Sequence, residues 1–416
     1  MRLFALVSLA SIVILAAAVR FHNLGRADLW LDEQLEYHVA SQPDTASLLR
    51  TAMDSGPVGP IGYLCDALSL RVFGASRWAM RFSSALLGVG SVAAVYFLGR
   101  RWFSERAGLF AAALMSVSGL SVQFSREARP YSALVFASLL LALAFDGLFR
   151  TPWPFSSNAV KERGRVGFTF SIIACELAAL LIALIHPLSM LVCAGLAFGA
   201  LAAWALGAPP ASVQKAGDGA APAVRWPALF AIALGCLAAG SGIAYAVWWR
   251  NVANVPFMPP ESPGSLAYEL LDIYKALLGG YWGAASYAIA AAFVIGAIAA
   301  ARKSSRSRWG LCLSGVLGAL GAVPVVISHA RNMNVLPRYS IFAVPFLLLI
   351  AAAGIDFIWS RIAKERDEES RPATFFAAPL LALLLLLSMR LQGRSLYDLE
   401  AKKHTDPHYP GLDVEK

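Results

Sequence analysis

Apolar residues along this chain come in long unbroken runs rather than in alternation, and charges fall between the runs. Candidate spans lie near 3–19, 82–99, 107–124, 132–149, 167–185, 188–206, 227–248, 282–301, 309–327, 339–359 and 374–390. A helix needs about 20 mostly apolar residues to cross the hydrocarbon. The Leu/Ala-rich runs are too long and too continuous for barrel strands. The pattern predicts an all-α polytopic membrane protein of about 11 transmembrane helices. Between the first two runs, residues 20–81 alternate amphipathic stretches with turns and predict short helices on the membrane surface. A membrane domain thus covers 1–390, and 391–416 form a polar tail expected outside.

Composition agrees with the runs. Hydrophobic residues make up 58% of the 416 and charged ones 15%, with mean hydropathy +0.61. A soluble chain carries about 25% charged residues. The loops at 99–106, 150–166, 302–308 and 360–372 hold fifteen lysines and arginines, and the alternate set holds six. The positive-inside rule makes the first set cytoplasmic, with the N-terminus inside and the loop 20–81 outside. Ala16-Ala17-Ala18 imitates a signal-peptide cleavage site, but the eleven-span topology needs the first segment kept. The inward loops account for most of the net charge of +9, which leaves no call for a nucleic-acid partner. Cys175, Cys193, Cys236 and Cys312 fall in predicted spans and Cys65 outside, without metal or disulfide spacing. The stretch 207–225 is a low-complexity inner linker, and the proline-rich loop 249–281 would suit a cover over a site.

The acids that matter are in "LWLDEQLEYHVA", Leu29 to Ala40. Asp28, Asp44 and Asp66 read as helix caps or surface charges, whereas Asp32 and Glu33 follow an apolar triplet at the membrane face. Partial desolvation there raises a carboxyl pKa and makes a better base. On a helix, i and i+4 share a face, so Asp32 stands with Glu36 and Glu33 with Tyr37. One of the adjacent pair can touch a reacting atom while the other orients.

Further stretches follow in order: "DSGPVGPIGYL" (Asp54–Leu64), "RVFGASRWAMRFSSALLG" (Arg71–Gly88), "GRRWFSERAG" (Gly99–Gly108), "FSREARPYSAL" (Phe124–Leu134), "LIHPLSML" (Leu184–Leu191) and "PRYSIFAVPFLL" (Pro337–Leu348). This succession resembles the GT-C membrane glycosyltransferases, in particular the family containing protein O-mannosyltransferases and the lipid A aminoarabinose transferase. The resemblance implies transfer of a sugar from a polyprenyl-phosphate donor to an acceptor on the outer side of the membrane. It makes 20–81 the catalytic loop, Asp32 the base, and Asp54 the match to a second acid before a proline turn. Many relatives continue with His-Pro-Pro, where this chain has Ser55-Gly56-Pro57.

Such chemistry needs a base for the acceptor hydroxyl and cations for the departing phosphate. Asp32 supplies the first, with Glu33 in support; Arg338, Arg126 and Arg129 are candidates for the second, joined by Tyr339. Tyr63, Tyr131 and Glu127 are candidates for substrate binding. Asp54 and His186 could hold a divalent metal, completed by phosphate or water oxygens, and His329 stands in a similar outer position. Glu176, midway along the fifth run, must be neutral, paired or facing a cavity.

The leading expectation is an inverting glycosyltransferase of a bacterial inner (plasma) membrane, served by a lipid-linked donor and a lipid, glycan or protein acceptor. A lipid-linked sugar flippase would bind the same ligand without forming a bond, but should concentrate ionisable groups near the midplane. A catalytically silent homologue that binds a partner enzyme is the third reading.

Overall fold

In hydrocarbon every backbone polar group must find its partner within the protein, which leaves helices for a chain of this pattern. The computed structural model describes residues 2–55, 58–150, 161–208, 222–251, 265–279, 282–283, 285–333, 336–363 and 373–391, and among these there is no β-strand. Its first ten helices are α1 (Arg2–Phe21), α2 (Leu31–Ala40), α3 (Thr45–Asp54), α4 (Pro60–Phe73), α5 (Arg77–Trp102), α6 (Glu105–Ser116), α7 (Gly119–Ser125), α8 (Tyr131–Arg150), α9 (Lys161–Ala183) and α10 (Ser189–Ala205). Among the described residues, eight helices are long and apolar enough to cross a membrane, or nine if α6 and α7 make one broken span. The other two expected spans, 188–206 and 374–390, are also helical, but their apolar helices, Ser189–Ala205 and Phe376–Met389, are shorter. The chain is thus an all-α, multi-pass membrane protein with a span count of eight to nine on length and composition.

The 61° bend between α6 and α7 has a chemical cause. The last carbonyls of a helix lack partners within it. Arg20, fully buried at the end of α1, donates to Met115 O (3.2 Å) and Ser116 O (3.0 Å) there. It also reaches Ser121 Oγ (3.0 Å) and Ser125 Oγ (3.2 Å) on α7. Gly88 makes room: a Cβ on it would stand 2.1 Å from Ser125 Oγ and 2.9 Å from Arg20 Nε.

Residues 20–76 fold into α2, α3 and α4 over a small core of their own. Leu29, Val39, Leu48, Ala52, Val58, Tyr63 and Ala67 pack with Met80, Ala128 and Trp248 from the bundle. Asp44 caps α3 by accepting from Ala46 N and Ser47 N, both at 2.9 Å, and Asp28 pairs with Arg77 at the surface. Asp66 departs from the surface role expected of it. It is buried within α4 and accepts from Ser83 Oγ. At Gly59 the loop presses on the end of α9, donating from its N–H to Ile185 O at 2.9 Å; a Cβ there would meet Leu184 O at 2.0 Å.

Residues 209–221 of the inner linker, 252–264 of the proline-rich loop and the tail 392–416 lie outside the described residues. The described part of the proline-rich loop includes a helix, Leu266–Leu277, capped by Ser265 and tied to His329 Nδ1 through Glu269 Oε2 at 2.9 Å.

Candidate active site

Four elements bring charge together beside α2: its own first turns, the turn 126–130 between α7 and α8, the start of α4 and the 3-10 segment Pro337–Ala343. Asp32 and Glu36, four residues apart, face the same guanidinium. Arg129 approaches Glu36 Oε1 at 3.0 Å through Nη1 and Asp32 Oδ2 at 3.5 Å through Nη2. Arg338 Nη1 donates to the same Asp32 Oδ2 at 3.2 Å. Asp32 Oδ1 has no hydrogen-bond partner among the described residues, and the side chain is 20% exposed. One carboxylate oxygen is therefore held by two cations while the other is left for a further partner.

Both arginines are braced. Arg129 stacks over the Tyr131 ring at 5.8 Å, and its carbonyl accepts from Ser84 Oγ at 3.2 Å. Arg338 lies 5.5 Å over the Tyr339 ring, on a turn that Ser340 Oγ ties to Gly321 O at 2.6 Å.

Glu33 is turned the other way and is wholly buried. Its Oε1 accepts from Arg81 Nε and from Ala128 N, both at 2.8 Å, and its Oε2 from Arg81 Nη2 at 2.6 Å. Trp30 N adds a fourth donor at 3.3 Å. Arg81 in turn donates to Leu24 O, Ala27 O and Asp28 O. Glu33 thus fastens α2 to α5 and to the turn that carries Arg129, and reaches no substrate from there.

The geometry bears on three further expectations. Arg126 does not join the phosphate-facing cations, because its Nη1 is spent on Arg20 O (2.9 Å) and His22 O (2.6 Å) at the end of α1. Glu127 is buried, with Oε1 accepting from Gln123 Nε2 at 3.0 Å. Asp54 and His186 lie in unlike surroundings. Asp54 is exposed at the end of α3, whereas His186 is buried, with Nδ1 accepting from Leu188 N at 3.2 Å. Burial, then the charges of Arg129 and Arg338, push the His186 pKa down to about 3. Among the described residues no group of three His, Cys, Asp or Glu could hold a metal ion. Glu176 is half-buried on α9, away from these groups.

Two acids that composition did not single out stand behind the site. Burial pushes the Glu36 carboxyl up to about 8, and the Arg129 charge offsets this only in part. Burial likewise pushes Asp66 up to about 7, against the hydrogen bond from Ser83. Tyr63, buried near both, has its phenol pKa raised by burial and then by Glu36. Burial is the largest influence on Arg129 and works against its charge, but Glu36, Tyr131 and Asp32 together reverse it and raise the guanidinium pKa. The i, i+4 spacing gave Glu36 away; Asp66 and Arg81 had no comparable local signal.

Residues 56–150 match the family model for dolichyl-phosphate-mannose-protein mannosyltransferases. The chain superposes on ArnT from Cupriavidus metallidurans in the apo state with a TM-score of 0.54 and 15% identity, over 84% of this chain and 60% of that one. Against the same protein bound to undecaprenyl phosphate the TM-score is 0.57 at 15% identity, over 94% of this chain and 73% of that one. The archaeal oligosaccharyltransferase AglB from Archaeoglobus fulgidus, in complex with an inhibitory peptide and a dolichol-phosphate, gives 0.56 at 13% identity, over 98% and 56%. The chain therefore spans 60% of the length of apo ArnT and 56% of AglB. No curated protein matches it in sequence. The match over 56–150 begins in the first loop and ends with α8, taking in Arg81, Arg129 and Tyr131, and the superpositions show that the chain shares the fold of ArnT and AglB.

Proposed function

We propose that this protein is an inverting glycosyltransferase that moves a sugar from a polyprenyl-phosphate donor to a hydroxyl of a lipid, glycan or protein acceptor on the outer face of a bacterial inner membrane. The observation that carries the reading is the divided environment of Asp32, with Oδ2 held by Arg129 and Arg338 and Oδ1 without a hydrogen-bond partner among the described residues. A base next to a phosphate-binding pair is what transfer from a lipid phosphate requires.

In the resting state the two guanidinium groups are paired with Asp32. The donor phosphate competes for them, because the planar guanidinium fork suits phosphate oxygens in bidentate geometry. Asp32 then takes the acceptor hydroxyl proton as the acceptor oxygen bonds to the anomeric carbon. The bond from that carbon to the phosphate oxygen breaks on the opposite face, and the lipid phosphate leaves with the electron pair, its charge met by Arg129 and Arg338. General-base assistance of this kind contributes about 10²–10⁴-fold.

The test uses purified protein in nanodiscs with radiolabelled polyprenyl-phosphate sugars and a membrane lipid and glycan extract. Wild type should transfer label and Asp32→Asn should fall by about 10²-fold or more. Equal transfer by the two would remove Asp32 as the base. A flippase would instead move label across vesicles without any new bond.

A further inference from the structure

The end of the bundle farthest from Asp32 carries a second cationic site. Helix α5 starts beside the candidate active site and runs 26 residues, or about 39 Å at 1.5 Å per residue, to Arg100 and Arg101. There two adjoining cavities of about 500 and 550 Å³ share Arg101, Leu143 and Arg150. Arg100, Arg306 and Phe97 complete the first; Gly147, Phe170, Ser171 and Ala174 line the second.

The cations are held in place from below. Asp146, fully buried, accepts from the indole N–H groups of Trp102 (3.1 Å) and Trp309 (3.0 Å). Its other oxygen accepts from Arg150 Nε at 2.5 Å and stands 3.9 Å from Arg101 Nη1, which donates to Leu143 O at 3.0 Å. Arg306 is pinned by Arg101 O, at 2.5 Å, and by Arg100 O. These bonds leave Arg101 Nε and Nη2, Arg150 Nη1 and Arg306 Nη1 without an acceptor among the described residues. Among the described residues, four guanidinium groups against Asp146 and Glu105 also leave an excess of two positive charges. Crowded like charges persist when the surroundings over-determine them, and an anion in the cavity would relieve the repulsion.

The walls say which anion. Phe97 and Phe170 are 46% and 71% exposed, and both lie on helices apolar enough to cross the membrane. The cavity therefore opens sideways onto lipid. Arginine pockets between membrane helices suit phosphate headgroups, whereas a choline or ethanolamine ammonium would be repelled here. The floor is open as well: a Cβ on Gly147 would find only Arg101 Nη1, at 4.0 Å. We propose that this two-lobed cavity binds the phosphate headgroup of an anionic glycerophospholipid, whose acyl chains lie along Phe97, Leu143 and Phe170.

Native mass spectrometry of the full chain, exchanged into micelles with cardiolipin, phosphatidylglycerol or phosphatidylethanolamine, tests this. Wild type should retain the anionic lipids at least about 10-fold over phosphatidylethanolamine, a ratio of the size one well-made charge contact gives. The pair Arg101→Gln/Arg306→Gln should lose that preference. Gly147→Leu, which fills the floor and leaves every charge in place, should weaken retention too, and it guards against a folding artefact in the arginine pair. Equal retention of all three lipids by wild type, or unchanged retention in both variants, would overturn the proposal. So would displacement of the lipid by millimolar inorganic phosphate, since that outcome describes a site for a free anion.

Discussion

Replacing Glu33 by glutamine separates an orienting acid from a reacting one. The side chain is buried and accepts from four donors, two of them on Arg81 at 2.8 and 2.6 Å. Glutamine keeps the shape but removes the charge and turns one acceptor into an amide nitrogen facing those donors. Breaking a buried pair by neutralising one member costs about 3–5 kcal/mol. Arg81 keeps the carbonyls of Leu24, Ala27 and Asp28, at 3.0, 2.8 and 2.9 Å, which argues for the lower end. A loss of about 3 kcal/mol corresponds to roughly a 10²-fold shift in the equilibrium that keeps α2 docked. Amide hydrogen exchange over residues 24–36 in nanodiscs reads that shift directly, as a fall in protection of about 10²-fold. Arg81→Gln should give the same pattern, and the double variant should cost less than the sum of the two, because they share one interaction. If exchange in Glu33→Gln stays at the wild-type level while transfer falls as far as in Asp32→Asn, then Glu33 acts in the chemistry and the orienting role is wrong.

Three other outcomes follow from the same geometry. The Glu36 carboxyl has a pKa of about 8 folded against 4.5 for a free glutamate, so the folded state binds more protons between these limits. Its contribution is full below about 4.5 and is lost as pH rises through about 8. Glu36→Gln should flatten the decline in melting temperature between pH 5 and pH 9, and an unchanged slope refutes the buried, protonated acid. Arg338→Gln should raise KM for the donor several-fold more than it lowers kcat; an unchanged KM would take Arg338 out of the phosphate site. Arg20→Met strands the carbonyls of Met115 and Ser116 at the α6–α7 bend and should cost about 1–3 kcal/mol for each group left unsatisfied. A melting curve like that of wild type would show the bend to be held by packing alone.

What could be read from the chain before its fold was known depended on whether the signal was local. The apolar runs were legible because a helix in lipid satisfies its backbone within itself, so each span declares its own position. The partnership of Asp32 with Glu36 was legible for the same reason: it follows from one helical turn, and the two acids do meet on Arg129. Arg126 and Arg129 mark the limit. Both stand in "SREARPY", three residues apart and with the same charge, and nothing in the stretch ranks one above the other. The difference arises because α7 ends between Ser125 and Arg126. The first arginine, at the C-cap, turns back to the carbonyls ending α1; the second, past the turn, faces α2. Arg81 and Glu33 were hidden differently, by a separation of 48 residues along the chain. A lone arginine at the start of an apolar run looks like an interfacial anchor until the fold supplies a buried carboxylate. Asp66 reads as a surface acid for a related reason, since its burial depends on α4 packing against α5 and not on any residue next to it. A carboxylate's neighbours in sequence therefore fix which face it shares, while its partners in charge come from elements that the chain brings in later. That is why Asp32 could be named from its stretch, while the arginines that make it a plausible base could be sorted only from the assembled bundle.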